Sequence, residues 1–267
     1  MLNIALEAVK MIRPYTVKEF ERTKKFTTKA DKSIVTQADL TIEKEIRNLL
    51  ISRKPDSEIL GEEFGSKNGE QVSTGWIIDP IDGTRAFLYG VPLFSTLISY
   101  VEDNEPIVGV ISFPALNQLI YASKDSGCWF QNGNDQPVKI WISSANKVKL
   151  AKAVVSASGI HSTTFDRREG SKAYNLSKIF DLARDVIFIN DSYQHIMVAL
   201  GRIDAAIDTI MKPWDIAALI PCLREAGVVC SDMNGSVTNL LYGGSLLTAS
   251  SQTLLNELIV QLNGRDV

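Results

Sequence analysis

Over the first 23 positions, Ile4, Leu6, Ala8, Val9, Met11 and Ile12 are spaced among charges in the manner of an amphipathic helix. A second helical pattern opens at Thr36 and runs through Leu40, Ile42, Ile46, Leu49 and Leu50, ending near the Lys54-Pro55 step. Between them, TKKFTTKADKS is polar and reads as a loop. From Trp76 to Leu119 the β-rich runs WIID, FSTLISYV and PIVGVISF alternate with turn residues such as Asp103-Asn104 and Phe113-Pro114. That predicts a sheet meander, and Asn132-Gly133 predicts a further hairpin turn. Beyond it, strand patterns at AVVSAS, VIFIN and IDAAID are separated by helical ones near 172–183 and 192–200, which predicts a mixed α/β region. The last quarter predicts a helix from Pro213 to Ala226, a strand at Val228 to Cys230, a hairpin at Asn234-Gly235 and a closing helix from Gln252 to Leu262. No Gly/Ser/Pro-rich linker divides the chain, but the element order changes near 140–152. Two packed subdomains are expected, residues 1–150 and 151–267.

Composition narrows the chemistry. The 267 residues are 45% hydrophobic and 22% charged, as in an ordinary soluble globular protein. The 28 basic residues nearly balance the 31 acidic ones, so the charge of -3 provides no general field for a nucleic-acid backbone and any anionic ligand must be captured locally. Cys128, Cys222 and Cys230 are too few and too scattered for a disulfide framework or a zinc site, and a cytoplasmic location is the simplest expectation. Glu7, Lys10 and Arg13 interrupt the N-terminal apolar residues before a signal-peptide core or a membrane span can form, so no membrane is expected.

Acidic residues concentrate where Asp56, Glu58, Glu62, Glu63, Glu70, Asp79 and Asp82 face only Lys67 as a counter-charge. A solvated loop would account for this, and so would a hard divalent cation such as Mg²⁺, which takes oxygen ligands and shares its coordination with phosphate. The order within WIIDPIDGTRAF favours the cation, because an apolar strand delivers Asp79 and then Asp82 into a turn. Pro80 stiffens that turn and leaves the Ile81 carbonyl as a further oxygen ligand. Gly83 permits close backbone approach, and the helix start after it offers N–H groups to a phosphate. One of Glu62 and Glu63 could hold a metal while the other is solvated. Asp39, one turn after Thr36, and Asp215, in the first turn after Pro213, fit ordinary helix-start roles when taken alone. Asp191 precedes a helix and Asp208 ends a strand seven residues before Asp215, so both can face a leaving group. Of the only histidines, His195 fits a packed or surface role, and His161 follows a strand where it could border substrate.

These motifs resemble the inositol monophosphatase family of metal-dependent, lithium-sensitive phosphatases. VTQAD, GEE, WIIDPIDGT and WDIAA stand in the family's order across nearly the whole chain. The resemblance implies an α/β (α+β) fold, a layered α-β-α-β-α sandwich with mixed sheets. It implies that Glu62, Asp79, the Ile81 carbonyl, Asp82 and Asp215 hold two or three Mg²⁺ ions per site, that Glu62, Thr84 and Asp39 serve the attacking water, and that the Gly83 and Thr84 amides hold phosphate. PDSEILGEEFG, IDGTRAFLYGVPLF and MKPWDIAALIPCLREAG are closer to the histidinol-phosphate phosphatase branch, with Arg85 where inositol-type members carry a small polar residue. Ser158 to Arg168 matches neither branch. The expectation is therefore Mg²⁺-dependent hydrolysis of a small phosphate monoester, histidinol phosphate before inositol monophosphate, by a cytoplasmic homodimer, with Arg85, Asp191 and Asp208 contacting substrate.

Two rivals differ in class. An aspartyl-nucleophile phosphatase would need its first Asp two positions before the second, whereas Asp79 stands three before Asp82, and it leaves Glu62-Glu63 and PWD unexplained. A catalytically silent binding protein on the same fold has no reason to fill every expected metal-carboxylate position. No P-loop, dinucleotide fingerprint, zincin helix or nucleophile elbow is present.

Overall fold

The computed structural model describes residues 1–22, 25–28, 34–67, 69, 71–143, 148–164 and 173–264. The chain opens with helix α1 (Leu2–Phe20), a two-stranded ribbon of β1 (Phe26–Thr28) and β2 (Ile34–Thr36), and helix α2 (Gln37–Arg53). A seven-stranded sheet follows from β3 (Glu58–Gly61), β4 (Gly75–Asp82), β5 (Ser95–Glu102), β6 (Glu105–Phe113), β7 (Gln118–Ser123), β8 (Cys128–Asn132) and β9 (Val138–Ile140), adjacent in that order. Only the β3–β4 pair is parallel, and the short helix α3 (Thr84–Tyr89) leaves the end of β4. The rest of the chain supplies β10 (Val154–Ala157), α4 (Leu176–Leu182), β11 (Asp185–Phe188), α5 (Asp191–Ala199), β12 (Ala205–Asp208), α6 (Pro213–Ala217), α7 (Leu219–Glu225), β13 (Val229–Ser231), β14 (Leu246–Ala249) and α8 (Gln252–Leu262). Its five strands run β11-β10-β12-β14-β13, with β10 parallel to both neighbours and β14 antiparallel to both of its own.

Alternation along the strands sorts side chains into layers. Trp76, Ile78, Ile98 and Val110 face α1 and α2, where Ala5, Ile42 and Ile46 meet them. Their sequence neighbours Ile77, Leu97 and Ile111 face the other way, onto Ile196, Ile216, Leu219 and Leu223 of α5, α6 and α7. Those helices are covered on their far side by the second sheet, through Ala206 and Leu246. The opposite face of that sheet, with Val155, Ile207 and Leu247, is closed by Ile179 of α4 and Leu254 and Leu258 of α8. The result is the α-β-α-β-α sandwich with mixed sheets.

Three local expectations change. Phe26–Thr28, read as loop, pairs with Ile34–Thr36; all three residues are exposed, so no buried face marks the strand in the sequence. The expected helix from Pro213 to Ala226 is interrupted at Ala218. Pro221 has no N–H to offer the Ala217 carbonyl, which instead accepts the Ser99 hydroxyl at 3.1 Å. Asn234-Gly235 does turn the chain, because Asp232 Oδ1 accepts the Asn234 and Ser236 N–H groups, both at 2.8 Å. It is not a tight hairpin, because the antiparallel neighbours β13 and β14 are joined by the whole of residues 232–245, which also hold a 3₁₀ turn at Leu240–Tyr242. Of the other expectations, Glu70, Lys172 and residues 165–168 lie outside the described residues. No helix among the described residues is long and apolar enough to cross a membrane.

Helix α3 is anchored by Phe87, fully buried between Phe20 and Phe94 with ring centroids 5.8 and 5.0 Å away. A six-residue helix has little stability of its own, so this cluster holds its first turn in place. Phe87→Ala should lower unfolding free energy by about 3–5 kcal/mol. A urea midpoint shift at constant m-value measures it, and a change under ~1 kcal/mol would contradict the anchoring role.

Candidate active site

Strand β4 is buried along its whole length and ends on Asp79 and Asp82. Its pairing with β5 shifts register between these two residues, where Pro80 has no N–H to give and its carbonyl accepts the Thr96 hydroxyl at 2.9 Å. Gly83 then reverses the chain with φ 83°. A side chain there is excluded twice, by that left-handed backbone and by Asp191 Oδ2, which a Cβ would meet at 2.9 Å. The turn after β4 is thus held against the start of α5.

Carboxylate oxygens of Asp79, Asp82 and Asp215 lie within 4.8 Å of one another. Asp215 comes from the first turn of α6, where Oδ2 accepts the Lys212 N–H at 2.7 Å. Asp82 Oδ2 accepts the Ser95 hydroxyl and the Ser192 N–H, each at 3.0 Å, and those two serines are bonded to each other at 2.8 Å. Glu62 leaves β3 with its N–H on the Ile78 carbonyl at 3.2 Å. Asp39 closes the capping box of α2, accepting the Thr36 N–H at 2.8 Å, and its other oxygen is 3.4 Å from the Thr84 hydroxyl. That hydroxyl also lies 3.1 Å from the Ile81 carbonyl.

Burial raises the pKa of Asp79 well above the usual carboxylate range, and Glu62, Asp82, Asp215 and Asp39 raise it further. Asp215 is raised well above that range by burial and by Asp82, with the Lys212 N–H opposing. Asp82 is also raised by burial, against the hydrogen bonds of Ser192 and Ser95. Asp191 is raised well above its ordinary value by burial, then by Asp82, Asp208 and Asp215, while Arg85 lowers it. Asp208 is pushed from 3.8 to about 7 by burial, against hydrogen bonds from Ser158 and the Ile210 N–H.

These groups line one cavity of about 390 Å³, with Ile81, Gly83, Thr84, Arg85, Ser158 and His161 also on its wall. Every expected site residue borders it except Asp39, which stands behind Thr84. His195 is fully buried, with Nδ1 3.0 Å from the Thr248 hydroxyl, and burial lowers its pKa to about 3. Sequence reasoning misses Ser95 and Ser192, because a serine beside a carboxylate carries no spacing signal, and it reaches Ser158 only as the first residue of a stretch that matches neither branch. Asp79 Oδ1 is buried with no hydrogen-bond partner among the described residues. An orphaned oxygen in an all-oxygen set whose members repel one another fits a hard divalent cation.

The sandwich and its carboxylate-lined cavity define the class of metal-dependent phosphatases. Residues 1–264 match the profile of the inositol monophosphatase family, and the chain belongs to that family as a phosphoric monoester hydrolase acting on small molecules. A histidinol-phosphatase of Chlorobaculum parvum is 36% identical over 262 residues, spanning 94% of this chain and 92% of its own. A histidinol-phosphatase of Mycobacterium tuberculosis is 33% identical over 242 residues, spanning 88% and 87%. Among solved structures, the IMPase of Thermotoga maritima has a TM-score of 0.82 at 26% identity, covering 98% of this chain and 96% of its own.

Asp208 holds its proton in the folded state up to about pH 7, so its contribution to stability is complete below its ordinary pKa and is lost as pH rises through 7. At about 1.4 kcal/mol per unit of pKa, that loss is at most about 4 kcal/mol. In chelator, the melting temperature should fall between about pH 4 and 7, and fall less in Asp208→Asn. Calorimetry at several pH values checks this; a parallel curve for the variant would refute the assignment.

Proposed function

We propose that the substrate is histidinol phosphate and the cofactor Mg²⁺, in two or three ions per site. The observation that carries the substrate is the pair Asp191 and Asp208, a half-buried and a buried carboxylate on the wall of the same cavity, both with raised pKa. A ligand ammonium would offset the burial that disfavours their charged forms, with a charge-assisted hydrogen bond to either oxygen. The likeness to the Chlorobaculum parvum histidinol-phosphatase supports the same reading. Inositol monophosphate is the second reading. Asp208 already accepts neutral donors, Ser158 and the Ile210 N–H, and polyol hydroxyls are donors of that kind. The likeness to the Thermotoga maritima IMPase favours it too.

In this scheme Glu62, Asp79, the Ile81 carbonyl, Asp82 and Asp215 hold the cations. When bound, these neutralise charge gathering on the phosphoryl oxygens and make a nearby water more acidic. The Thr84 hydroxyl lies within reach of two acceptors, Asp39 and the Ile81 carbonyl, so its proton is engaged and its lone pairs are left to accept from the attacking water. Glu62, on the wall of the same cavity, is the other residue serving that water. The Gly83 and Thr84 N–H groups, at the open start of α3, hold phosphate. Arg85 counters Asp191 at the leaving-group end. No covalent intermediate with the chain is required.

The division of labour follows the two subdomains we propose. Residues 1–150 carry most of the metal ligands, and residues 151–267 complete the pocket with Asp191, Asp208 and Asp215. The family resemblance favours a cytoplasmic homodimer with no nucleic-acid or membrane partner, which sedimentation and cell fractionation test.

Removing a ligand should cripple turnover while the fold persists, because it also relieves repulsion in the metal-free protein. Asp82→Asn is expected to lose activity by roughly two or more orders of magnitude with an unchanged circular dichroism spectrum. Full activity in the variant, or in excess chelator, would sink the metal reading. For the substrate, Asp191→Asn and Asp208→Asn should cost roughly tenfold more in kcat/KM on histidinol phosphate than on inositol 1-phosphate, since a charge-assisted bond becomes a neutral one. Wild-type preference for inositol 1-phosphate, or equal small losses on both, would favour the second reading.

A further inference from the structure

Helix α2 presents Ile42 and Ile46 to the seven-stranded sheet, yet Glu43, between them in sequence, is also fully buried. Its carboxylate is ringed by donors. Oε2 accepts the Glu63 N–H at 2.7 Å, and Oε1 accepts the Phe64 N–H at 3.2 Å and Arg47 Nε at 2.8 Å. Arg47 passes the network on, donating through Nη1 to the Ile59 carbonyl at 3.3 Å and through Nη2 to the Gly65 carbonyl. Gly61 and Gly65 exchange their own N–H groups and carbonyls at 3.1 and 2.9 Å, closing a turn. Glu62 is the first residue inside that turn. The fit is tight enough that a Cβ on Gly61 would stand 2.0 Å from Glu43 Oε1.

A carboxylate–guanidinium pair with the acid fully buried and the base half-buried is a poor choice for stability alone. The desolvation of both charges consumes most of what their attraction returns, and apolar side chains of similar volume often do as well. What the pair supplies is direction, because each of its acceptors and donors is assigned to one backbone group of the turn. Asp39 lies four residues before Glu43 on the same helix, on the same side. One helix therefore fixes both Asp39, behind Thr84, and the turn that carries Glu62 onto the wall of the cavity.

We propose that Glu43, braced by Arg47, is a positioning residue for the phosphatase reaction: it sets the carboxylate of Glu62 in the orientation from which Glu62 holds a cation. This rests on the reading of Glu62 as a metal ligand given above. Glu43 touches no substrate and acts only through the backbone of Glu63 and Phe64.

The test is a double-mutant cycle on the full chain, with Mn²⁺ as the probe and its binding followed by the loss of the free-ion electron paramagnetic resonance signal. Glu43→Gln keeps the volume but turns one acceptor into a donor that faces donors. It should bind Mn²⁺ about tenfold or more weakly, with kcat reduced and the substrate KM little changed. Glu62→Gln should weaken binding in the same direction. In the double variant the losses should not multiply, because Glu43 acts through a side chain that is already gone. Losses that multiply, or Glu43→Gln within about twofold of wild type while Glu62→Gln is impaired, overturn the positioning role. Unchanged Mn²⁺ binding in Glu62→Gln overturns the ligand reading itself, and this proposal with it. Should Glu43→Gln lose its near-ultraviolet dichroism, Arg47→Lys, which keeps a cation but loses the fork to the Ile59 and Gly65 carbonyls, enters the cycle in its place with the same two outcomes.

Discussion

Three carboxylates held with oxygens within 4.8 Å of one another, two of them almost wholly buried, repel by on the order of 3 kcal/mol for each ionised pair. Everything near them bears the mark of that repulsion. Asp79, Asp82 and Asp215 all have raised pKa values, and the donors that reach them, Ser95, Ser192 and the Lys212 N–H, satisfy some of their oxygens and leave Asp79 Oδ1 bare. A chain selected for stability alone would replace these residues with apolar ones of the same shape. Their presence is the cost of a site that binds positive charge and the phosphate that travels with it.

The scaffold meets that cost by dividing the carboxylates among three separately anchored elements. Asp79 and Asp82 stand on a strand buried on both faces, Asp215 on a helix start fixed by Pro213, and Glu62 on a turn clamped from α2. None of these elements can relax away from the others without breaking a packed layer. Repulsion that would splay a loop is therefore stored where a cation can relieve it.

Much of this was legible in the sequence because the signals are local. The unbroken apolar run Trp76, Ile77 and Ile78 marks a strand with two buried faces, and Thr36 followed by Asp39 marks a helix start. WIIDPIDGT carries both the strand and the turn that ends it. The layering, and the roles proposed for Asp39 and Asp215, rest on family resemblance, since each residue alone is an ordinary capping acid. Contacts between distant segments left no trace: Ser95 and Ser192 are 97 positions apart, and Glu43 looks like one more polar residue on an amphipathic helix until the turn at Glu63 closes over it. The exposed ribbon at Phe26–Thr28 was invisible for the converse reason, because it buries nothing that would impose a pattern.

The start of α5 shows how the two halves of the chain are joined chemically as well as by packing. Asp191 adopts φ 60°, a left-handed conformation that Asp tolerates better than most residues, and this turns its carboxylate against Gly83. The next residue, Ser192, gives its N–H to Asp82 and shares a hydrogen bond with Ser95 of β5. Two consecutive residues thus border the cavity and fix one of its carboxylates. A shift of α5 that moved Asp191 by an ångström would carry the Ser192 donor with it and disturb Asp82. Asp191 on the cavity wall and the donor that fixes Asp82 therefore share one helix start, which constrains how far that wall can vary without altering the carboxylate cluster behind it.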